Sequence, residues 1–149
     1  MATKKPARPA AKKSAEARRP HRVTSRRTTA ETTSTTRAPS PWAAAARVGF
    51  VAEHLGSREL ARLLRVSSSQ PTRWRRGEET PGPGSARAIA DLDYVLARLL
   101  QVWERSVALD WLTTANSFLG GARPLDVVLL RGAGEVVDAI DAEVAGAFA

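Results

Sequence analysis

Cysteine is absent from this 149-residue chain, and histidine occurs only twice, as His21 and His54. Without cysteine there is no disulfide scaffold, no thiolate zinc site and no cysteine nucleophile. Two histidines do not suffice for a zinc enzyme built on several imidazoles. No run of about 18 apolar residues occurs, and the charged N-terminus is not followed by the apolar stretch of a secretory signal. We therefore expect a cytoplasmic bacterial protein without metal or other cofactor.

Charge is distributed unevenly along the chain, whose formal net charge is +8. Residues 1–40 carry 11 basic and 2 acidic side chains, whereas residues 101–149 carry 3 basic and 7 acidic ones. A basic segment suits a polyanion such as DNA, and an acidic segment does not. The two ends of the chain are therefore predicted to have different partners.

Residues 1–40 contain Val23 as the only large aliphatic residue after Met1, and no aromatic residue. Such a segment buries too little apolar surface to offset the entropy of ordering, so we predict a disordered basic tail. It is an arm that contacts DNA phosphates, a solubilising tail, or a stretch upstream of the true start codon, and composition does not separate these alternatives.

After residue 40, apolar residues recur with helical spacing, and no alternating strand pattern of useful length occurs. The chain is therefore predicted to be all-α. Pro41 and Pro124 fit first helical positions, and Ser85 is a candidate cap for a long helix. Gly146 is predicted to end the last helix. The predicted units are the tail, a helix-turn-helix domain with a long linking helix at 41–104, and a small helical domain at 105–149.

The segment SRELARLLRVSSSQPTRWRRGEETP has the layout of a helix-turn-helix. Its second helix carries Trp74 as an apolar anchor among polar and basic side chains. A recognition helix presents its N-terminal side chains to base edges, while basic residues near its end meet phosphates. Pro71 stands where an aliphatic core residue is usual. The predicted DNA-binding residues are Ser68, Ser69, Gln70, Thr72, Arg73, Arg75 and Arg76. The alternative is a pair of amphipathic helices whose arginine face is solvated and does not bind DNA.

This segment resembles the Xre-type helix-turn-helix, and the last 40 residues resemble the toxin-binding domain of the Xre/MbcA/ParS-type antitoxins. The second resemblance rests on Trp111-Leu112, Asn116, Leu119-Gly120-Gly121, Pro124-Leu125, a glycine break at Gly132 and Gly134, Val136-Val137 and Gly146. Within this pattern, Asn116 is expected to cap a turn and the glycine pair to supply positive φ angles.

The resemblance implies a toxin partner of the RES-domain type, which resembles ADP-ribosyltransferases and consumes NAD. It also implies that the C-terminal helix and tail of the antitoxin cover the active site of the toxin. The candidate toxin-binding residues are Arg123, Arg131, Phe148 and the carboxylate of Ala149, with packing of Phe148 onto the core as the alternative.

The chain is not expected to be an enzyme, because no carboxylate pair stands with a histidine or a phosphate-binding loop, and GAGE at 132–135 follows no strand. The predicted partners are a cognate RES-domain toxin and operator DNA, with no membrane. A homodimer or a larger hetero-oligomer with toxin is expected, and Leu92, Leu96 and Leu99 of the long helix are a candidate dimer surface. The alternatives are a stand-alone DNA-binding regulator without a toxin, and a nucleoid-associated protein that uses its tail nonspecifically.

Overall fold

The computed structural model describes residues 41–147. Over this range the regular secondary structure consists of α-helices joined by turns and loops, without strands, as predicted. The predicted disordered tail at 1–40 lies outside the described residues, as do Phe148 and Ala149. The seven helices are α1 (Pro41–Leu55), α2 (Ser57–Leu63), α3 (Gln70–Arg76), α4 (Pro83–Val102), α5 (Arg105–Thr113), α6 (Pro124–Arg131) and α7 (Gly134–Ala147).

Proline marks the start of three helices. Helices α1 and α6 begin at Pro41 and Pro124, as predicted, and α4 begins at Pro83. The first residues of a helix have no carbonyl to bond within it, so the missing N–H of proline costs nothing there. The start of α4 lies two residues ahead of the expected cap, Ser85, because the Pro83 ring already sets a helical φ angle.

The last helix does not end at Gly146. Helix α7 continues to Ala147, so the prediction that Gly146 terminates it is wrong. A glycine stops a helix when it takes a left-handed conformation, and Gly146 is not among the glycines with positive φ. A glycine in the last turn costs only about 1 kcal/mol relative to alanine, which a helix tolerates.

One apolar core joins helices from both halves of the described chain. It extends from Val48 of α1 to Ile140 of α7, and α4 contributes Leu92, Leu96 and Leu99. These three leucines have no exposed surface, so they cannot supply the predicted dimer surface. The apolar face of α4 is covered by the chain's own helices, which is the reason for the correction.

Two arginines connect distant helices at the edge of this core. Arg105, the first residue of α5, donates through Nη2 to the carbonyl oxygens of Glu53 at 2.8 Å and His54 at 3.3 Å. These carbonyls lie in the last turn of α1, where the helix dipole favours a cation. Arg98 of α4 pairs with Asp141 of α7 at 2.7 Å. Both contacts hold the C-terminal helices against α1 and α4.

Candidate functional site

Helices α2 and α3 occupy the segment predicted as a helix-turn-helix, and residues 64–69 connect them. After α2, Arg65 takes the left-handed conformation at φ 55°, and the Val66 N–H donates to the Ala61 carbonyl at 3.0 Å. Trp74 and Pro71 are the buried residues of α3, so Pro71 fills the core position where an aliphatic residue is usual. Their burial turns the opposite face of α3 outward.

Five of the seven predicted DNA-binding residues lie on α3, and Ser68 and Ser69 come directly before it. Gln70 and Thr72 are half-buried. Arg75 lies against α1. Its Cγ and Cδ atoms are 3.9 Å from the position that a Cβ atom on Gly49 would occupy. The exposed members of the set are Ser68, Ser69, Arg73, Arg75 and Arg76.

Two of these side chains converge on one carboxylate of the following loop. Arg73 Nη1 lies 2.9 Å from Glu79 Oε1, and Gln70 Nε2 donates to Glu79 Oε2. These hydrogen bonds, that from Arg73 first, lower the pKa of Glu79 below its ordinary value. In the same loop, Glu78 lies 3.6 Å from Arg76. Neither glutamate is among the predicted site residues, since the sequence of a loop does not show which side chain a charged residue will contact.

A tight turn follows α5 and is organised by Asn116, the one buried polar residue of the described chain, with 7% of its surface exposed. Its side-chain Oδ1 accepts from the Phe118 N–H at 2.9 Å, and its carbonyl accepts from the Gly121 N–H at 2.8 Å. Gly120 and Gly121 have φ angles of 66° and 84°. The predicted roles of Asn116 and of the glycine pair are therefore confirmed.

The turn displays an aromatic side chain that sequence reasoning did not single out. Phe118 is 58% exposed although its backbone is held by Asn116. The sequence carries no signal for this exposure, since Leu119 lies in the same turn and packs against the core whereas Phe118 does not.

Two shallow cavities flank the turn, with volumes of about 410 and 510 Å³. The first lies beside α5, where Val107 is 49% exposed. The second lies between Phe118 and α7. Ser117 and Glu143 line both cavities, and Glu143 accepts a 3.3 Å hydrogen bond from Asn116 Nδ2. The turn and the exposed side of α7 thus form one surface.

The predicted toxin-binding arginines are exposed and paired. Arg123 bonds both carboxylate oxygens of Asp126, at 2.7 and 3.1 Å, and Arg131 bonds Glu135 at 2.8 Å. Both pairs lie near α6, at its start and at its end. Phe148 and Ala149 follow α7 and lie outside the described residues.

No group of three or more histidine, aspartate or glutamate side chains within residues 41–147 is arranged to hold a metal ion.

Across the same described range, no helix is both long and apolar enough to cross a lipid bilayer.

Residues 98–146 match the family described as the antitoxin Xre/MbcA/ParS C-terminal toxin-binding domain. The match begins in the last turns of α4 and covers α5, the Asn116 turn, α6 and nearly all of α7. No curated protein and no solved structure is significantly similar to the chain. The match supports an antitoxin role and implies a toxin partner. Residues 98–146, about a third of the chain, are therefore similar to the C-terminal toxin-binding domain of the Xre/MbcA/ParS antitoxins.

Proposed function

We propose that this protein is the antitoxin of a type II toxin–antitoxin system, and that it neutralises a RES-type, NAD-consuming toxin by covering its active site. The observation that carries the proposal is the match of residues 98–146 to a toxin-binding domain. The RES class of the toxin rests on the resemblance of the last 40 residues to antitoxins with such partners.

The surface around the Asn116 turn is our candidate for the toxin contact. It combines the exposed aromatic ring of Phe118 with the exposed side of Val107, and each of these residues lines one of the two cavities that flank the turn. Aromatic side chains at the centre of an interface commonly dominate its binding energy. Because the turn already holds the Phe118 backbone in place, little conformational freedom is lost when a partner covers the ring.

This contact is tested by measuring the affinity of Phe118→Ala for a RES-domain toxin, which is sought first in the gene next to that of this protein. Full burial of a phenylalanine contributes about 1.5–3 kcal/mol, so removal of a ring that is 58% exposed when free should weaken binding roughly tenfold. Tyr94→Ala is the matched control, since Tyr94 is an aromatic residue of similar exposure, 57%, on α4 outside residues 98–146. A Phe118→Ala affinity equal to that of the wild type would remove the turn from the interface.

The C-terminal residues are the proposed cover of the toxin's active site. Phe148 would supply apolar surface, and the Ala149 carboxylate would pair with an arginine of the toxin as an anionic part of NAD does. Truncation after Ala147 leaves all of α7 in place. We expect the truncated protein to retain its melting temperature but to inhibit NAD consumption poorly. A large drop in melting temperature would show that Phe148 packs on the core instead.

We further propose that α3 binds operator DNA, so that the protein represses its own promoter. The support is the exposed basic face of α3, with Trp74 and Pro71 buried behind it. Arg73→Ala should weaken operator binding by about 1–3 kcal/mol and relax the preference at one base pair. The basic residues of 1–40 would add phosphate contacts, and each contact that their deletion removes should reduce the salt slope by about 0.9.

A stand-alone DNA-binding regulator without a toxin is the second candidate, favoured by the basic face of α3 outside residues 98–146. Co-expression with the neighbouring gene product separates the two functions. Co-purification of a RES-like protein supports the antitoxin, whereas operator binding without any such partner supports the regulator.

A further inference from the structure

Glu79 contacts both long side chains that α3 offers for reading bases. One carboxylate oxygen accepts from Gln70 Nε2 and the other from Arg73 Nη1, at 2.9 Å for the arginine. Gln70 and Arg73 are three residues apart, so they stand one above the other on the same face of the helix. A single loop residue therefore sets the direction of two side chains.

The backbone after α3 brings Glu79 to this position. Gly77 takes a left-handed conformation at φ 73°, and the Glu78 N–H then donates to the Arg73 carbonyl at 3.0 Å. This arrangement ends the helix and turns the chain back along it. Pro81 restricts the next part of the loop. The carboxylate of Glu79 thus lies beside the helix because of the backbone, and its ion pair follows from that placement.

The contribution of the Glu79 contacts to folding stability does not explain their presence. All three side chains are exposed or half-buried, and an exposed ion pair contributes little to folding because water screens it. A carboxylate beside a DNA-binding face also repels phosphates, so it lowers affinity for DNA of any sequence. A negative charge at this place is useful only if it improves discrimination between sequences.

The hydrogen bonds to Glu79 leave other donor and acceptor atoms of Gln70 and Arg73 available for contact with bases. Glu79 engages only Nη1 of Arg73, and among the described residues no acceptor engages its Nε or Nη2. Those two donors match the N7 and O6 acceptors of guanine. Gln70 likewise keeps its carbonyl oxygen and its second amide hydrogen, the pair that recognises adenine.

We propose that Glu79 is the specificity-determining residue of the α3 surface: it holds Arg73 and Gln70 in the orientation that reads bases, and its charge weakens binding to all DNA, so that tight binding requires the base contacts. Glu79 is a positioning residue, because it acts through Arg73 and Gln70 and not on the bases directly. This inference rests on the proposed binding of DNA by α3.

The test compares the full chain with Glu79→Ala, Glu79→Gln and Glu78→Ala. A duplex is first selected from a random pool with the wild-type protein, and each variant is then titrated with that duplex and with a scrambled one. Glu78→Ala is the matched control, since it removes the same charge one residue away, where the partner is Arg76.

We expect Glu79→Ala and Glu78→Ala to bind the scrambled duplex a few-fold more tightly, because each loses a negative charge. The ratio of selected to scrambled affinity should fall about tenfold in Glu79→Ala alone, with one guanine preference flattened. Glu79→Gln keeps an acceptor for Arg73 and should recover part of the ratio. In an Arg73→Ala background, Glu79→Ala should change the ratio far less than in the wild type, since Gln70 alone then depends on Glu79.

Equal ratios in Glu79→Ala, Glu78→Ala and the wild type would overturn the inference, since Glu79 would then act only as a charge. A wild-type protein that selects no sequence would overturn the proposed DNA binding, and the inference with it. The two failures are distinguishable because the selection step precedes any comparison of variants. Thermal melting of each variant checks that the fold is unchanged.

Discussion

Replacement of Asn116 by alanine tests the link between the buried turn and the proposed toxin contact. The substitution removes the acceptor of the Phe118 N–H, at 2.9 Å, and the donor to Glu143, at 3.3 Å. The backbone bond from the Gly121 N–H to the Asn116 carbonyl does not depend on the side chain. The turn should therefore loosen at Phe118 without unfolding.

The expected cost follows from the two lost hydrogen bonds. The bond to Phe118 has good geometry and contributes about 0.5–1.5 kcal/mol, and the longer bond to exposed Glu143 adds little. We expect Asn116→Ala to lower the free energy of unfolding by about 0.5–1.5 kcal/mol. For a unit of the size of residues 41–147, the melting temperature should fall by roughly 4 °C per kcal/mol.

The assay is urea unfolding of the free protein, followed by titration with the toxin. Asn116→Asp is the informative second variant, because it keeps the acceptor for the Phe118 N–H while losing the donor to Glu143. We expect Asn116→Ala to weaken toxin binding by more than its stability loss explains, since Phe118 would no longer be held. An unfolding free energy within 0.3 kcal/mol of the wild-type value, a margin about half of the smallest expected cost, would refute this reasoning.

Three further predictions concern the fold. Burial raises the pKa of Asp93 above its ordinary value of 3.8, and Arg47 opposes this only in part. Charged Asp93 therefore lowers the free energy of unfolding, fully at a pH above the raised pKa and not at all below pH 3.8. Because asparagine does not titrate, the free energy of unfolding of Asp93→Asn, measured in urea, should rise relative to that of the wild type from pH 3 to pH 7. Arg65→Gly should stabilise by about 0.5 kcal/mol, because glycine tolerates φ 55° better than arginine, and a lower urea midpoint would contradict this. Leu96→Ala should cost about 2–5 kcal/mol yet leave the oligomeric state measured by light scattering unchanged, since Leu96 is wholly buried within its own chain.

Local features of the sequence were sufficient for most of the helices and for the Asn116 turn. Pro41 and Pro124 start helices because a first helical position requires no N–H donor, whatever the rest of the fold. Gly120 and Gly121 take positive φ angles because glycine lacks the Cβ that makes them costly. Gly146 shows the limit of such reasoning, since glycine permits a left-handed conformation without requiring it.

Contacts between segments were decided by the tertiary structure alone. Helical periodicity showed that Leu96 faces something apolar, but a partner chain and the chain's own helices satisfy the same pattern. The meeting of Glu79 with Arg73 depends on the backbone at Gly77, and the bond from Arg105 to the Glu53 carbonyl spans 52 residues. The sequence by itself determined the all-helical fold, through its local apolar patterns, and the similarity of residues 98–146 to an antitoxin toxin-binding domain. Only the tertiary structure decided that the chain's own helices cover α4 and that Arg105 meets the last turn of α1, because these contacts join residues that are far apart along the chain.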